Sequence, residues 1–113
     1  KILNFFSNKE YSHNIEVEIK TLNEYLDQNL IKFIDFLKID TEGYEFEVLL
    51  GLKDKLKNVK IILFEHHFDD MLKKNYTFRD INSLLIQNSF RQIYKSKMPF
   101  RKTFEYIYYN EKY

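Results

Sequence analysis

Two acidic clusters and a histidine pair stand where an α/β sheet could use them for chemistry. Leu37 to Gly51 reads L-K-I-D-T-E-G-Y-E-F-E-V-L-L-G, a buried-looking strand that runs into an acidic turn and then a helix. A second apolar run, Val59 to Phe64, ends in Glu65, His66 and His67. In open α/β sheets, ligands bind just beyond the carboxyl ends of parallel strands, where such turns sit. If the two runs are neighbours, Asp40, Glu65 and His66 share one edge of the sheet. Two carboxylates and an imidazole there can bind a substrate hydroxyl, take its proton, or hold a divalent metal. A plainer account competes with this one. Negative charge is favoured at the positive end of a helix dipole, and capping explains Thr41 and Glu42 without any ligand. It explains Asp40 less well, because Asp40 ends the strand rather than opening the helix. Glu65 and the histidines read equally as a polar strand terminus in a solvated loop, His67 more so than His66. His13 reads as a surface residue.

What the sequence lacks narrows the chemistry further. A nucleotide phosphate or the methionine end of a cofactor is usually approached by a glycine-rich strand-to-helix loop. The chain has two glycines, Gly43 and Gly51, and they are separated by a whole helix. No such cradle can be drawn from these 113 residues. Cysteine is absent, which excludes disulfides, zinc–thiolate sites and thiol nucleophiles. No serine sits in a G-x-S-x-G elbow. Paired carboxylates for glycoside hydrolysis are present in Asp40 and Glu65, but nothing places them around a sugar ring. The net charge of +1, with 18 basic and 17 acidic residues interspersed, gives no footprint for nucleic acid. No apolar run approaches the ~20 residues needed to span a bilayer, so no membrane partner is expected. A cytoplasmic protein is the default expectation.

The elements that must position these residues follow from periodicity. Residues 1–14 show no period and read as an irregular leader, leaving 15–113 as a single domain or part of one. Ile15, Val17 and Ile19 alternate with charged residues, predicting a half-exposed strand. Thr21 and Glu24 form a capping box for a helix from Leu22 to Asn29. Phe33–Ile39 and Val59–Phe64 predict strands covered on both faces. Between them lie a helix over Tyr44–Leu50 and a short turn over Asp54–Lys57. That connection suits a crossover, so the two strands should be parallel. Thr77 can cap a helix over Phe78–Asn88. Phe90–Tyr94 and Phe104–Tyr109 then alternate as the strands of a closing hairpin, with Lys95–Thr103 as its loop. The expected architecture is a mostly parallel sheet that finishes in an antiparallel hairpin.

Residues 15–65 resemble the FkbM family of class I S-adenosylmethionine-dependent methyltransferases. The family's later half reads as a short alternating strand, a T-L-D-x-L helix start, then D-x-L-K-I-D-x-E-G-x-E-x-x-V-L-x-G and a strand closing on glutamate. Here T-L-N-E-Y-L at Thr21–Leu26, the run Asp35–Gly51, and I-I-L-F-E-H at Ile61–His66 match in order. The departure is Asn23, where an acid is usual. The resemblance implies the C-terminal half of a doubly wound, Rossmann-like sheet, with Phe33–Ile39 as its fourth strand and Val59–Phe64 as its fifth. The hairpin would supply the sixth and seventh, and the glycine-rich cofactor loop would belong to the other half. The fragment alone would then be inactive. It further implies O-methylation of a hydroxyl on a sugar or related small molecule, with S-adenosylmethionine as cofactor. Asp40 would be catalytic and would face the cofactor, Glu42 would shape the cofactor turn, and Glu65 and His66 would line the acceptor side. Lys38 would pair with Asp40. A divalent metal has no support beyond the acidic edge. The partners expected are a small-molecule or saccharide substrate and, optionally, a second copy of the chain. The rival readings are a non-catalytic interaction piece and a carbohydrate-binding edge without chemistry.

Overall fold

The computed structural model describes residues 14–113. The leader, including His13, therefore lies outside the described residues apart from Asn14. The elements run α1 (Leu22–Gln28), β1 (Ile34–Ile39), α2 (Glu45–Leu50), a 3-10 turn (Lys53–Asn58), β2 (Val59–His67), α3 (Phe78–Gln87), β3 (Phe90–Lys97) and β4 (Thr103–Asn110). Both capping boxes form. Glu24 accepts from the Thr21 amide at 2.9 Å, and Asp80 accepts from the Thr77 amide at 2.7 Å. Each box satisfies amides that a helix start would otherwise leave orphaned.

The four strands form one sheet in the order β1-β2-β4-β3. β1 and β2 are parallel, as the crossover length requires, with Phe36 opposite Ile61 and Ile39 opposite Phe64. The other two pairings, β2 with β4 and β4 with β3, are antiparallel. Among the described residues the sheet is thus mostly antiparallel, not mostly parallel. The last strand accounts for the difference: β4 inserts between β2 and β3 and makes two of the three pairings. Its partner β2 is also longer than expected. Glu65, His66 and His67 continue the strand because Glu105, Phe104 and Thr103 stand opposite them. They are not a loop.

Ile39, Ile62, Phe64, Tyr106 and Tyr108 are buried and lie on one face of the sheet, joined there by Leu49, Leu56, Ile81 and Leu85 from the helical segments. Asn110, fully buried, staples the far end of β4 by donating to the carbonyls of Lys57 and Val59 at 3.1 and 3.0 Å. The opposite face is open among the described residues, with Phe36 on β1 52 % exposed. The expectation of helices on both faces of the parallel strands fails here. So does the strand expected at 15–19. Residues 14–20 form no helix or strand, and Ile15, Val17 and Ile19 are exposed. Alternation marks a face that could be buried; it does not supply a strand to pair with.

Candidate functional site

Strand alternation sorts the residues at the carboxyl edge into two environments. Lys38, Glu65, His67 and Glu105 share the open face, and Asp40 follows β1 on the same side. His66 lies on the covered face. The sequence expectation placed Asp40, Glu65 and His66 together. They do share the edge, but the sheet lies between the first two and the third.

On the open face, the Asp40 carboxylate accepts from Lys38 Nζ at 3.0 Å, the pairing the alternation predicts. Glu65 stands directly opposite Glu105 across the β2–β4 ladder. Burial, then the charges of Asp40 and Glu105, push the Glu65 carboxyl above its usual range, with His67 opposing them. Its proton affinity is that of a partly buried carboxyl with like charges beside it. His67 Nε2 lies 4.0 Å from Glu65 and 3.9 Å from Glu42, while its Nδ1 meets Thr103 Oγ1 at 3.0 Å. His67 and Glu105 are the members sequence reasoning missed. For His67 the signal was present, since it is two residues beyond Glu65 and so on the same face. For Glu105 nothing local pointed to it, because its place depends on the strand order.

The turn between β1 and α2 is built differently from a capped helix start. Glu42 and Gly43 both take left-handed backbone conformations, φ +51 and +108. A Cβ on Gly43 would come within 3.0 Å of the Lys73 carbonyl, so this glycine lets two backbone segments close on each other and opens no ligand cradle. The helix begins after Tyr44 with no side-chain cap, and Thr41 does not cap it. Glu45, 4 % exposed, reaches back instead. Its carboxylate accepts from the Thr41 amide, the Thr41 hydroxyl and the Gly43 amide, each at 3.2 Å, and from the Tyr76 hydroxyl. Burial would raise its pKa, but the donors from Tyr76, Gly43 and Thr41 outweigh it and hold the carboxyl below its usual range. Glu45 thereby ties the turn carrying Asp40 and Glu42 to the loop that follows β2. Glu42 itself is exposed and enters the turn with a left-handed backbone.

On the covered face, His66 is 3 % exposed and packs among Phe68, Phe78 and Tyr76, with ring centroids 4.6 to 5.8 Å away. Burial, with Lys74 adding to it, lowers its pKa to about 4, so it is neutral at pH 7. Its Nδ1 has no hydrogen-bond partner among the described residues. His66 and the loop residues 68–74 line an open cleft of about 900 Å³. The cleft abuts the carboxyl edge of β2 and is continuous with the loop that Tyr76 fastens to Glu45.

The fit to S-adenosylmethionine is one-sided. The cofactor's sulfonium and ammonium are cationic, and the open-face edge offers carboxylates to them. Neither glycine offers a close-approach loop for the rest. Among the described residues, no group of three or more His, Asp or Glu side chains is placed to hold a metal ion. No helix among them is long and apolar enough to cross a membrane.

A family model described as the methyltransferase FkbM domain matches residues 2–93, extending over most of the chain the likeness visible in residues 15–65. No curated protein and no solved structure matches.

Proposed function

This chain belongs to the FkbM methyltransferase domain family, and from that premise we propose that it serves S-adenosylmethionine-dependent O-methylation of a hydroxyl on a saccharide or related small molecule. The observation that carries the reading is the open-face edge, where Asp40, just past the end of β1, lies on the same side as Glu65 of the adjacent parallel strand β2, with Glu105 and His67 beside them. The proposal assigns this edge to the acceptor and to the charged end of the cofactor. It takes the remaining cofactor contacts to come from residues outside these 113, on a doubly wound sheet that β1 and β2 would continue.

When bound, S-adenosylmethionine supplies a methyl group on a sulfonium, ready for in-line attack by oxygen. The residues of this chain would orient the acceptor hydroxyl and receive its proton as the C–O bond forms and the methyl–sulfur bond breaks, the thioether being the leaving group. Asp40 is assigned that proton, because it stands where the strand meets the turn and its charge is balanced by one flexible lysine. Glu65 and His67 hold the acceptor from the neighbouring strand. His66 lines the cleft behind the edge as a neutral, apolar-packed wall. Positioning is the main source of rate in such a transfer, and the Glu45–Tyr76 link keeps turn and loop in one arrangement.

The test uses the full-length enzyme. Asp40→Asn keeps the shape and removes the charge, so turnover should fall on the order of 10²–10⁴-fold with an unchanged melting temperature. Glu42→Gln, altering an exposed side chain of the same turn, should leave the single-turnover rate close to wild type. An Asp40→Asn protein that is unstable but fully active when folded would make Asp40 structural and end the assignment.

A further inference from the structure

The tip of the β3–β4 hairpin carries a surface that the proposed chemistry does not use; β3 runs on to Lys97, so the connection is residues 98–102 and shorter than the loop expected from Lys95 to Thr103. Residues 95–102 read K-S-K-M-P-F-R-K, four cations and no acid, in a chain whose net charge is +1. Lys95 lies over the Phe104 ring, 4.6 Å from its centroid. Lys97, Arg101 and Lys102 are exposed and form no ion pair among the described residues. Between them Phe100 is 105 % exposed, its ring touching nothing that shields it from water. Its backbone sits at φ +59, a conformation that favours glycine or asparagine and is costly for a bulky side chain. An aromatic residue held in a strained, fully solvated position, with cations on either side of it in the sequence, calls for a function.

We propose that this hairpin tip is a peripheral contact with an anionic lipid bilayer. Phe100 enters the headgroup region, and Lys97, Arg101 and Lys102 meet the lipid phosphates. A soluble polyanion would engage the cations equally well but would leave Phe100 in water. A bilayer interface takes up a single aromatic side chain with no pocket, which decides between the two. The absence of a spanning segment argued against a membrane only in the sense of crossing it. Surface attachment needs a few basic residues and one apolar anchor. The tip is also at the working end of the sheet, since β4 begins at Thr103 opposite His67. Docking it would turn the edge carrying Asp40 and Glu65 towards the lipid surface. The amide of Phe68 donates to the Lys102 carbonyl at 2.8 Å, so Asp69 and Asp70 bound the cationic surface on its cleft side.

Flotation of the full chain with phosphatidylcholine vesicles, with and without phosphatidylglycerol, tests this. Wild type should float with the anionic vesicles and remain behind with the neutral ones. Removing one basic charge weakens surface attachment about fivefold, so the triple change Lys97→Gln, Arg101→Gln, Lys102→Gln should lower partitioning on the order of 10²-fold. Phe100→Ser should lower it about tenfold. Melting temperatures should match wild type, because all four side chains are exposed. Failure of wild type to float, equal binding to neutral vesicles, or an unaffected triple variant would overturn the proposal. So would an unaffected Phe100→Ser protein displaced fully by inorganic polyphosphate, which would assign the tip to soluble polyanions.

Discussion

His66 and Glu65 are adjacent in sequence and live in different solvents. His66 points into packed rings and has lost its affinity for protons; Glu65 points to the open face and has gained affinity for them. One step along a strand exchanges an apolar wall for a cluster of carboxylates. The covered face contributes stability, and the open face contains groups that repel one another and raise the free energy of the fold. Residues kept at such a cost are the ones to suspect of function.

Paired truncations would break this comparison most directly. Phe64 is fully buried and stacks on Tyr106 and Tyr108, with centroids 5.5 and 5.8 Å away. Phe64→Ala should cost about 3–5 kcal/mol in chemical denaturation. Leu63→Ala, one residue away on the half-exposed face, should cost about 1 kcal/mol. Equal losses would mean that the open face is packed in solution. A smaller effect comes from acid. His66 titrates near 6.5 when unfolded and about 4 when folded, so between these values the unfolded chain binds the proton and the native one does not. Its contribution to stability therefore falls as pH drops from about 6.5 to 4, by about 3 kcal/mol in all. His66→Phe should remove that part of the slope, as followed by denaturation at stepped pH. Glu65 has the opposite sign, since its raised folded pKa makes the native state the better proton binder. Stability from this site declines as pH rises through that folded value. Glu65→Gln should accordingly stabilise the protein at neutral pH by less than about 1 kcal/mol, the range for opposed like charges on a ladder. A destabilised Glu65→Gln protein would remove the contrast.

Among the described residues, local signals in the sequence were enough to place the helices and the four strands of the sheet, though β2 and β3 each run three residues further than expected, to His67 and Lys97. Thr21 and Thr77 announced their helices, and apolar runs announced β1 and β2. What failed was whatever depends on partners distant in sequence. Glu65–His67 look like a loop until β4 is known to lie beside them. Ile15–Ile19 look like a strand, yet no neighbour pairs with them among the described residues. Asp40 and its Lys38 partner were legible because they lie two residues apart at the end of one short strand. Glu105 was not, since it lies forty residues beyond Glu65 (105 against 65) and is brought there by the antiparallel register alone. Glu45 was legible as part of the turn, but not as its hub, because its deciding donor, Tyr76, comes from the loop after β2.

The strand order also governs how the chain can be made. Among the described residues β3 pairs with β4 alone, and β4 also closes the far side of β2. During synthesis, then, β1 and β2 can meet as soon as both have emerged, but β3 must wait unpaired until Thr103–Asn110 has been translated. The rings of Phe64 and Tyr106, which stack in the native core, belong to segments made early and late. The apolar face of β2 therefore stays open to the ribosome surface, to chaperones or to a neighbouring nascent chain while the residues between are added. A stop codon just before Thr103 would take away β4 and leave β2 and β3, among the described residues, without the strand that joins them.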